Sequence, residues 1–235
     1  MQEKIILRLE EEKDYRAVEE LTREAFWNLH SPGADEHLLI HNLRDTKEFI
    51  KSLDFVACLA NCLENGQSVN NEKIVGNIVY VESKIISCRN ESDGESHKSI
   101  NKEHIILTFG PVSVLPEYQN KGIGSKLINH TIKLSKKMNY KAIIIYGDPE
   151  YYKRFGFRAS MEFNITNKEG KFPAALLVLE LYPKALEGIY GIFDEGKAYE
   201  INPDESAEFD KGFPKKEKFK TESQDKFLEI AGRFL

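Results

Sequence analysis

Six residues, Gln119-Asn120-Lys121-Gly122-Ile123-Gly124, stand between a run that reads as a core strand and a run that reads as an amphipathic helix. Residues 105–114 are β-branched and apolar enough for a buried strand. After the turn, Leu127, Ile128, Thr131, Ile132 and Leu134 recur at helical spacing up to about Met138. A strand that passes through a glycine turn into a helix start confines the chain to a strand–turn–helix frame. That frame is an anion trap: the first-turn N–H groups have no intrahelical partners and the helix dipole adds positive charge there. Glycine at 122 and 124 leaves the backbone open to a phosphate, since no side chain occupies the approach. The chain therefore reads as the holder of a phosphorylated ligand.

With 235 residues the chain is long enough for one large domain or a domain with an appendage. A net charge of −5 gives no overall basic field, which argues against nucleic acid or an anionic membrane as partner. The longest apolar run, 174–179, is far short of the ~20 residues a membrane-spanning helix needs. Met1-Gln2-Glu3-Lys4 leads straight into a strand without a signal-peptide pattern, so a cytoplasmic protein is expected. Cys58 and Cys62, four apart in a strand-like run, read as two small core hydrophobes, with a redox pair as the alternative.

The pattern predicts a strand over 5–9, then a helix capped by Asp14 running to Trp27 and a second capped by Asp35 running to Arg44. Strands are expected at 55–60, 74–81, 105–114, 142–146, 174–181 and 188–193. The polar stretch 89–102 reads as a mobile hairpin loop, with a specificity insert as the alternative. Pro149 opens a short helix to Phe155, which Gly156 ends. Beyond Pro183 come an acidic block (Asp204, Glu205, Glu208, Asp210), a basic block (Lys215, Lys216, Lys218, Lys220) and a short terminal helix around Phe227, Leu228, Ala231 and Phe234. The charge blocks read as solvated surface, a partner-binding tail being the alternative.

Two familiar phosphate motifs fail on this turn. A Walker A loop needs Lys-Ser/Thr directly after its last glycine, and Gly124 is followed by Ser125-Lys126. A dinucleotide fingerprint needs a third glycine and an acid at a strand end about 20 residues on, and neither is present. The wider segment, Val112-x-Val114-x-Pro116-x-Tyr118-Gln119-x-x-Gly122-Ile123-Gly124-x-x-Leu127-Ile128, resembles the acetyl-coenzyme A signature of the GNAT N-acetyltransferase superfamily. Downstream, Gly147-Asp148-Pro149-x-Tyr151-Tyr152-x-Arg154-Phe155-Gly156-Phe157 is similar to that superfamily's Y-x-x-x-G-F element, and its Gly-Asp-Pro lead-in to the YhbS-like bacterial subgroup. The likeness runs over about 5–181 and is sharp over 108–157.

The resemblance implies an α/β (mixed α+β) GNAT-like acyl-CoA N-acyltransferase fold: a twisted mixed sheet, splayed between two central strands and flanked by helices. It sets residues 1–182 as the acetyltransferase domain and 183–235 as a C-terminal extension packed on or flanking it. Gly110-Pro111 fits the splay, because proline cannot donate to a ladder and belongs at a bulge or where pairing stops; an edge strand is the alternative.

By the same resemblance acetyl-CoA is the co-substrate. Val112, Ser113 and Val114 would hold its pantetheine arm, and Gln119, Asn120, Lys121, Gly122, Ile123, Gly124 and Ser125 its pyrophosphate. The implied reaction is direct attack of a primary amine, from a small molecule or a peptide, on the thioester. The Val114 N–H is then the oxyanion donor and Tyr152 the general acid, with Tyr151 packing or touching the coenzyme. Glu82 and Glu36 are the side-chain candidates for the general base, beside a water chain or an amine that arrives neutral. His37 and His41 have a zinc-ligand spacing, but no third ligand is evident and no metal is expected. Neither nucleic acid nor membrane is expected as a partner, and a homodimer is allowed. The rival readings are a non-catalytic acyl-CoA-binding or sensor protein of the same fold, and an interaction protein acting through its tail.

Overall fold

The computed structural model describes residues 2–62, 72–90 and 99–235. Among them the strands are β1 (Gln2–Leu9), β2 (Phe55–Cys62), β3 (Lys73–Asn90), β4 (Ser99–Val114), β5 (Ala142–Tyr146), β6 (Arg158–Ala159), β7 (Ile165–Thr166), β8 (Leu176–Glu180) and β9 (Gly191–Asp194). The α-helices are α1 (Tyr15–Phe26), α2 (Glu36–Arg44), α3 (Ile123–Lys137), α4 (Pro149–Tyr152), α5 (Pro203–Asp210) and α6 (Glu222–Gly232). The chain divides into two compact units. The first holds Met1–Val81, Phe109–Leu134 and Lys197–Phe227; the second holds Glu82–Thr108, Ser135–Gly196 and Leu228–Leu235.

In the first unit β1 pairs antiparallel with β2 (Leu9↔Phe55), and β2 antiparallel with the start of β3 (Phe55↔Ile78). Helices α1 and α2 bury one face on these strands. Val18 of α1, Ile40 and Leu43 of α2, and Val56, Cys58, Val79 and Val81 make a common core, joined by Tyr199 from the C-terminal segment. Burial of apolar area of this kind stabilises by roughly 25 cal/mol per Å². Gly110 of β4 admits α2 closely: a Cβ there would lie 2.8 Å from Leu43 Cδ1 and 3.0 Å from Val79 Cγ1.

Three residues later the Ser113 hydroxyl bonds the Thr22 hydroxyl of α1 at 2.8 Å. Residues three apart on a regular strand face opposite sides, yet both of these meet the α1–α2 pair. The strand therefore changes parity between Gly110 and Ser113, around Pro111, as a bulge does.

In the second unit β4 and β5 form a parallel ladder with one recorded pairing, Leu107↔Ile143, whereas β5 makes five antiparallel pairings with β8. A ladder this short is what two splayed neighbours leave. Strand β6 pairs antiparallel with β8, β9 pairs with the far half of β3, and β7 pairs parallel with β9. Ile85, Ile106, Ala142, Ile144, Ile165, Leu176, Val178, Leu186, Ile189 and Phe193 form this unit's core.

Several sequence expectations need adjustment. Strands β3 and β4 extend nine and six residues beyond the expected 74–81 and 105–114, into the polar stretch read as a loop; 91–98 lie outside the described residues. The polar residues there carry no apolar alternation, so the period-2 signal fades although the strands continue. Asp14 and Asp35 sit at the helix starts but neither caps with its side chain. The Asp14 carboxylate instead accepts from Arg8 Nη1 at 2.6 Å and from the Glu11 N–H at 3.0 Å, and Asp35 accepts the Ser206 hydroxyl.

Cys58 is buried with a free thiol, which burial pushes up to about 11; the side chains of Cys62 and Cys88 lie outside those described. No helix among the described residues is long and apolar enough to cross a membrane.

Candidate functional site

In the first unit β4 ends at Val114 and a single 3-10 turn, Pro116–Tyr118, leads to the glycine segment. Gln119 is extended (φ −63°, ψ 162°), Asn120 is left-handed (φ 58°), and Gly122 has φ 78°. The Gln119 amide donates to the Val114 carbonyl at 3.1 Å, closing the turn on the strand it leaves. The Gly122 carbonyl accepts the Lys126 N–H at 3.0 Å, so the helix proper begins at Ile123. The N–H groups of Ile123, Gly124 and Ser125 are then its first-turn donors, which no intrahelical acceptor reaches.

What fixes this helix end is a glycine the sequence reading passed over. A Cβ on Gly76 of β3 would lie 3.0 Å from Ile123 Cγ2 and 3.3 Å from Leu127 Cδ1, so any side chain there would crowd the first turn of α3 where it rests on the strand. Its signal was present, as an isolated glycine inside a strand pattern. Ile123 is buried, which leaves its backbone alone for a ligand, and the Ser113 side chain is committed to Thr22. Gly122 is the reverse case: no atom lies within 4 Å of where its Cβ would stand. Positive charge flanks the turn. The ammonium groups of Lys121 and Lys73 lie 4.8 Å and 4.9 Å from the Tyr118 ring centroid, and Lys73 pairs with Glu117 at 3.1 Å.

In the second unit the segment after β5 builds a socket for Tyr152. Asp148 caps α4, accepting the Glu150 N–H at 2.9 Å, and Pro149 occupies the first helical position. The helix lasts one turn, continues as 3-10 over Lys153–Phe155, and stops at Gly156 in the left-handed region (φ 91°). Phe157, buried, meets the Tyr152 ring edge-on at 5.6 Å, and Tyr151 does so at 5.0 Å. A third side is Gly147, where a Cβ would overlap the Tyr152 ring, so glycine there is a steric requirement. Burial, with Tyr151 and Asp148 adding to it, raises the phenol well above its ordinary value. The hydroxyl therefore stays protonated at neutral pH and can act as a donor.

The two candidate bases are both engaged. Glu82, on the second-unit part of β3, accepts the Tyr140 hydroxyl at 2.6 Å, and that phenol is raised by burial and by the Glu82 carboxylate. Glu36, at the start of α2 in the first unit, meets His30 Nδ1 at 2.9 Å through Oε1 and accepts the Asp35 N–H at 3.1 Å through Oε2. The histidine pair diverges. His37 is buried against Phe209 and Phe213, with Nε2 3.4 Å from Asp210 and burial lowering its pKa, whereas His41 Nδ1 meets Glu19 at 2.9 Å.

The acidic block is not uniformly solvated surface: it forms α5, and Asp210 pairs at 2.6 Å with Arg23, whose side chain is 2% exposed. Nor does the basic block stand alone, since Lys216 pairs with Glu24 and the Glu217 carbonyl accepts from the Trp27 indole and the Asn28 amide. Residues 197–227 thus fold against the α1–α2 turn inside the first unit. Charge blocks gave no sequence signal for this, because their partners lie about 190 positions away.

Comparison with known proteins agrees with this geometry. Residues 69–159 match the model of the acetyltransferase (GNAT) domain. The chain is 26% identical over 86 residues to the uncharacterized N-acetyltransferase YhbS of Escherichia coli K12, which is 37% of this chain and 52% of that protein. It is 38% identical over 49 residues, 21% of this chain and 27% of the relative, to the uncharacterized N-acetyltransferase YjhQ of the same strain. The chain thus spans about half the length, or less, of these curated relatives.

Among solved structures, that of YhbS from Escherichia coli in complex with CoA superposes with a TM-score of 0.64 at 20% identity, covering 86% of this chain and 94% of that one. A GNAT family acetyltransferase from Brucella melitensis in complex with acetyl-CoA gives 0.56 at 24% identity, covering 84% and 99%. The chain therefore has the GNAT fold, is similar over 69–159 to the acetyltransferase (GNAT) domain, and is similar to the YhbS-like subgroup.

Proposed function

We propose that the chain is an acetyl-CoA-dependent N-acetyltransferase that moves the acetyl group to a primary amine by direct attack. The observation that carries this reading is the turn at Gly122, open where a side chain would stand and followed by a helix start that Gly76 holds in place. Backbone N–H groups from Gln119 to Ser125, with Lys121 beside them, would grip the coenzyme's pyrophosphate. Support comes also from the two fold relatives, which were crystallised with CoA and with acetyl-CoA.

Residues 112–114 would pair with the pantetheine amides, leaving the Val114 N–H to stabilise the oxyanion. In this reading Tyr152 supplies the proton that the departing thiolate takes; its motif position supports that role, and its raised pKa keeps it protonated at neutral pH. Tyr151 packs beside it. Residues 1–182 are the catalytic domain and 183–235 its extension.

Calorimetric titration with acetyl-CoA, followed by a panel of amines, amino acids, aminoglycosides and peptide N-termini assayed for thiol release, tests the proposal. Acetyl-CoA binding together with acceptor-dependent thiol release is expected. A protein that does not bind acetyl-CoA is not this enzyme, and one that binds it but acetylates no amine is an acyl-CoA-binding protein of the same fold.

A further inference from the structure

The reaction needs a group to take the amine's proton, and neither glutamate put forward for that task is free to act alone. Glu36 is turned onto a histidine. Its Oε1 lies 2.9 Å from His30 Nδ1, while Oε2 is held by the Asp35 N–H. A carboxylate only accepts, so in the neutral ring the hydrogen sits on Nδ1 and the lone pair on Nε2.

The ring is also fixed in orientation. Phe227 of α6 stacks on it with centroids 4.4 Å apart and planes 25° apart, and Phe26 of α1 meets it at 5.5 Å. Glu36 is an ionisable group in direct contact with it. A third of the His30 side chain stays open to solvent. A nucleophile or base oriented by a carboxylate through its second nitrogen is a recurring catalytic arrangement.

Position favours the same role. The α1–α2 turn that carries His30 is anchored on both sides to β4. Thr22 of α1 bonds Ser113, between Val112 and Val114, and Leu43 of α2 packs at Gly110. Helix α1 ends four residues past Thr22, about 6 Å along its axis. His30 thus lies on the turn joining the two helices that are anchored to this strand.

We infer that His30, oriented by Glu36, is the general base that takes the proton from the acceptor amine; this rests on the acetyltransferase reading above. The amine nitrogen attacks the thioester carbonyl carbon, a C–N bond forms and the carbonyl pair moves to oxygen. The proton shed by nitrogen passes to His30 Nε2. Collapse of the intermediate breaks the C–S bond, and the thiolate takes a proton from Tyr152. His30 returns its proton to solvent and Tyr152 recovers one, so the net products are an amide and free coenzyme A.

Bromoacetyl-CoA tests this without knowledge of the natural acceptor, because a nucleophilic nitrogen beside the acetyl methyl displaces its bromide and forms a stable C–N bond. The expected result is an adduct on His30, found by mass spectrometry, that excess acetyl-CoA suppresses. Glu36→Gln should slow it by on the order of tenfold or more, since the amide can donate to Nδ1 and move the ring hydrogen to Nε2. Acetyl-CoA binding by calorimetry should be the same in both proteins, which separates chemistry from folding. If acetyl-CoA binds but His30 stays unlabelled, or Glu36→Gln labels as fast as the parent, the base assignment is wrong and the enzyme reading stands. If acetyl-CoA does not bind at all, the enzyme reading falls and this inference with it.

Discussion

Gly122 and Gly147 serve opposite purposes. At Gly122 the backbone is left-handed (φ 78°) and a Cβ would meet no atom within 4 Å; at Gly147 a Cβ would run into the Tyr152 ring. The first glycine keeps space empty for something that arrives. The second gives its space to a side chain of the same unit. A site that admits a ligand and a site that holds a side chain therefore both demand glycine, and they fail in different ways when it is replaced.

The largest expected effect breaks the first region alone. Gly122→Glu puts a carboxylate at the helix start where the pyrophosphate would dock, so calorimetry should find no acetyl-CoA binding while the melting temperature barely moves. Unaltered affinity would remove the phosphate grip from this turn. Next comes the second region. Tyr152→Phe keeps the ring and deletes the proton, and should lower kcat by about 10²-fold or more with coenzyme affinity nearly unchanged. A parental rate would strip Tyr152 of the acid role.

Gly147→Ala should fall between folding and chemistry. The methyl group must push the Tyr152 ring aside, at about 1–3 kcal/mol of overpacking, and a ring displaced by about 1 Å loses up to 10²-fold in rate. If Gly147→Ala instead weakens acetyl-CoA binding and spares kcat, the contrast between the two glycines has been drawn wrongly.

The two regions were unequally legible in the sequence. The turn at Gln119–Gly124 announced itself because its requirement is local: a left-handed backbone and an exposed helix start are written within six residues. The short helix around Tyr152 was legible for the same reason, from Asp148, Pro149 and Gly156. What escaped notice depends on distant pairs. Gly76 matters only because α3 lands on it, Thr22 only because Ser113 faces it, and His30 only because Glu36 and Phe227 close around it. The C-terminal segment showed alternating charge blocks, and its packing on the α1–α2 turn rests on Asp210 reaching a buried Arg23. Periodicity records which face of an element is apolar; it does not say which element covers that face.

The effect that vanishes at one pH and grows at another concerns a buried group that titrates in an accessible range, and it lies in the first unit. Glu10 is 2% exposed and Asp54 1%, with Arg44 Nη2 2.6 Å from Glu10 and the Asn77 amide 3.2 Å from Asp54. Burial first, then the Asp54 carboxyl, pushes Glu10 up to about 10, and burial raises Asp54 as well; Arg44 opposes both shifts. A folded pKa above the unfolded value means that the folded state holds the extra proton between the two. Stability is then greatest below the ordinary carboxylate range and is lost as pH rises from about 4.5 toward 10, with a slope of up to about 1.4 kcal/mol per pH unit for one group.

Glu10→Gln imitates the protonated carboxyl and carries no proton to lose. Its stability in urea should match the parent near pH 5 and exceed it increasingly by pH 9. In the second unit the phenols Tyr140, Tyr146 and Tyr152 are raised by desolvation out of that range and add no such slope. Parallel pH profiles for the parent and Glu10→Gln would show that the alkaline loss arises elsewhere, and the assignment of this pH dependence to the first unit would be lost.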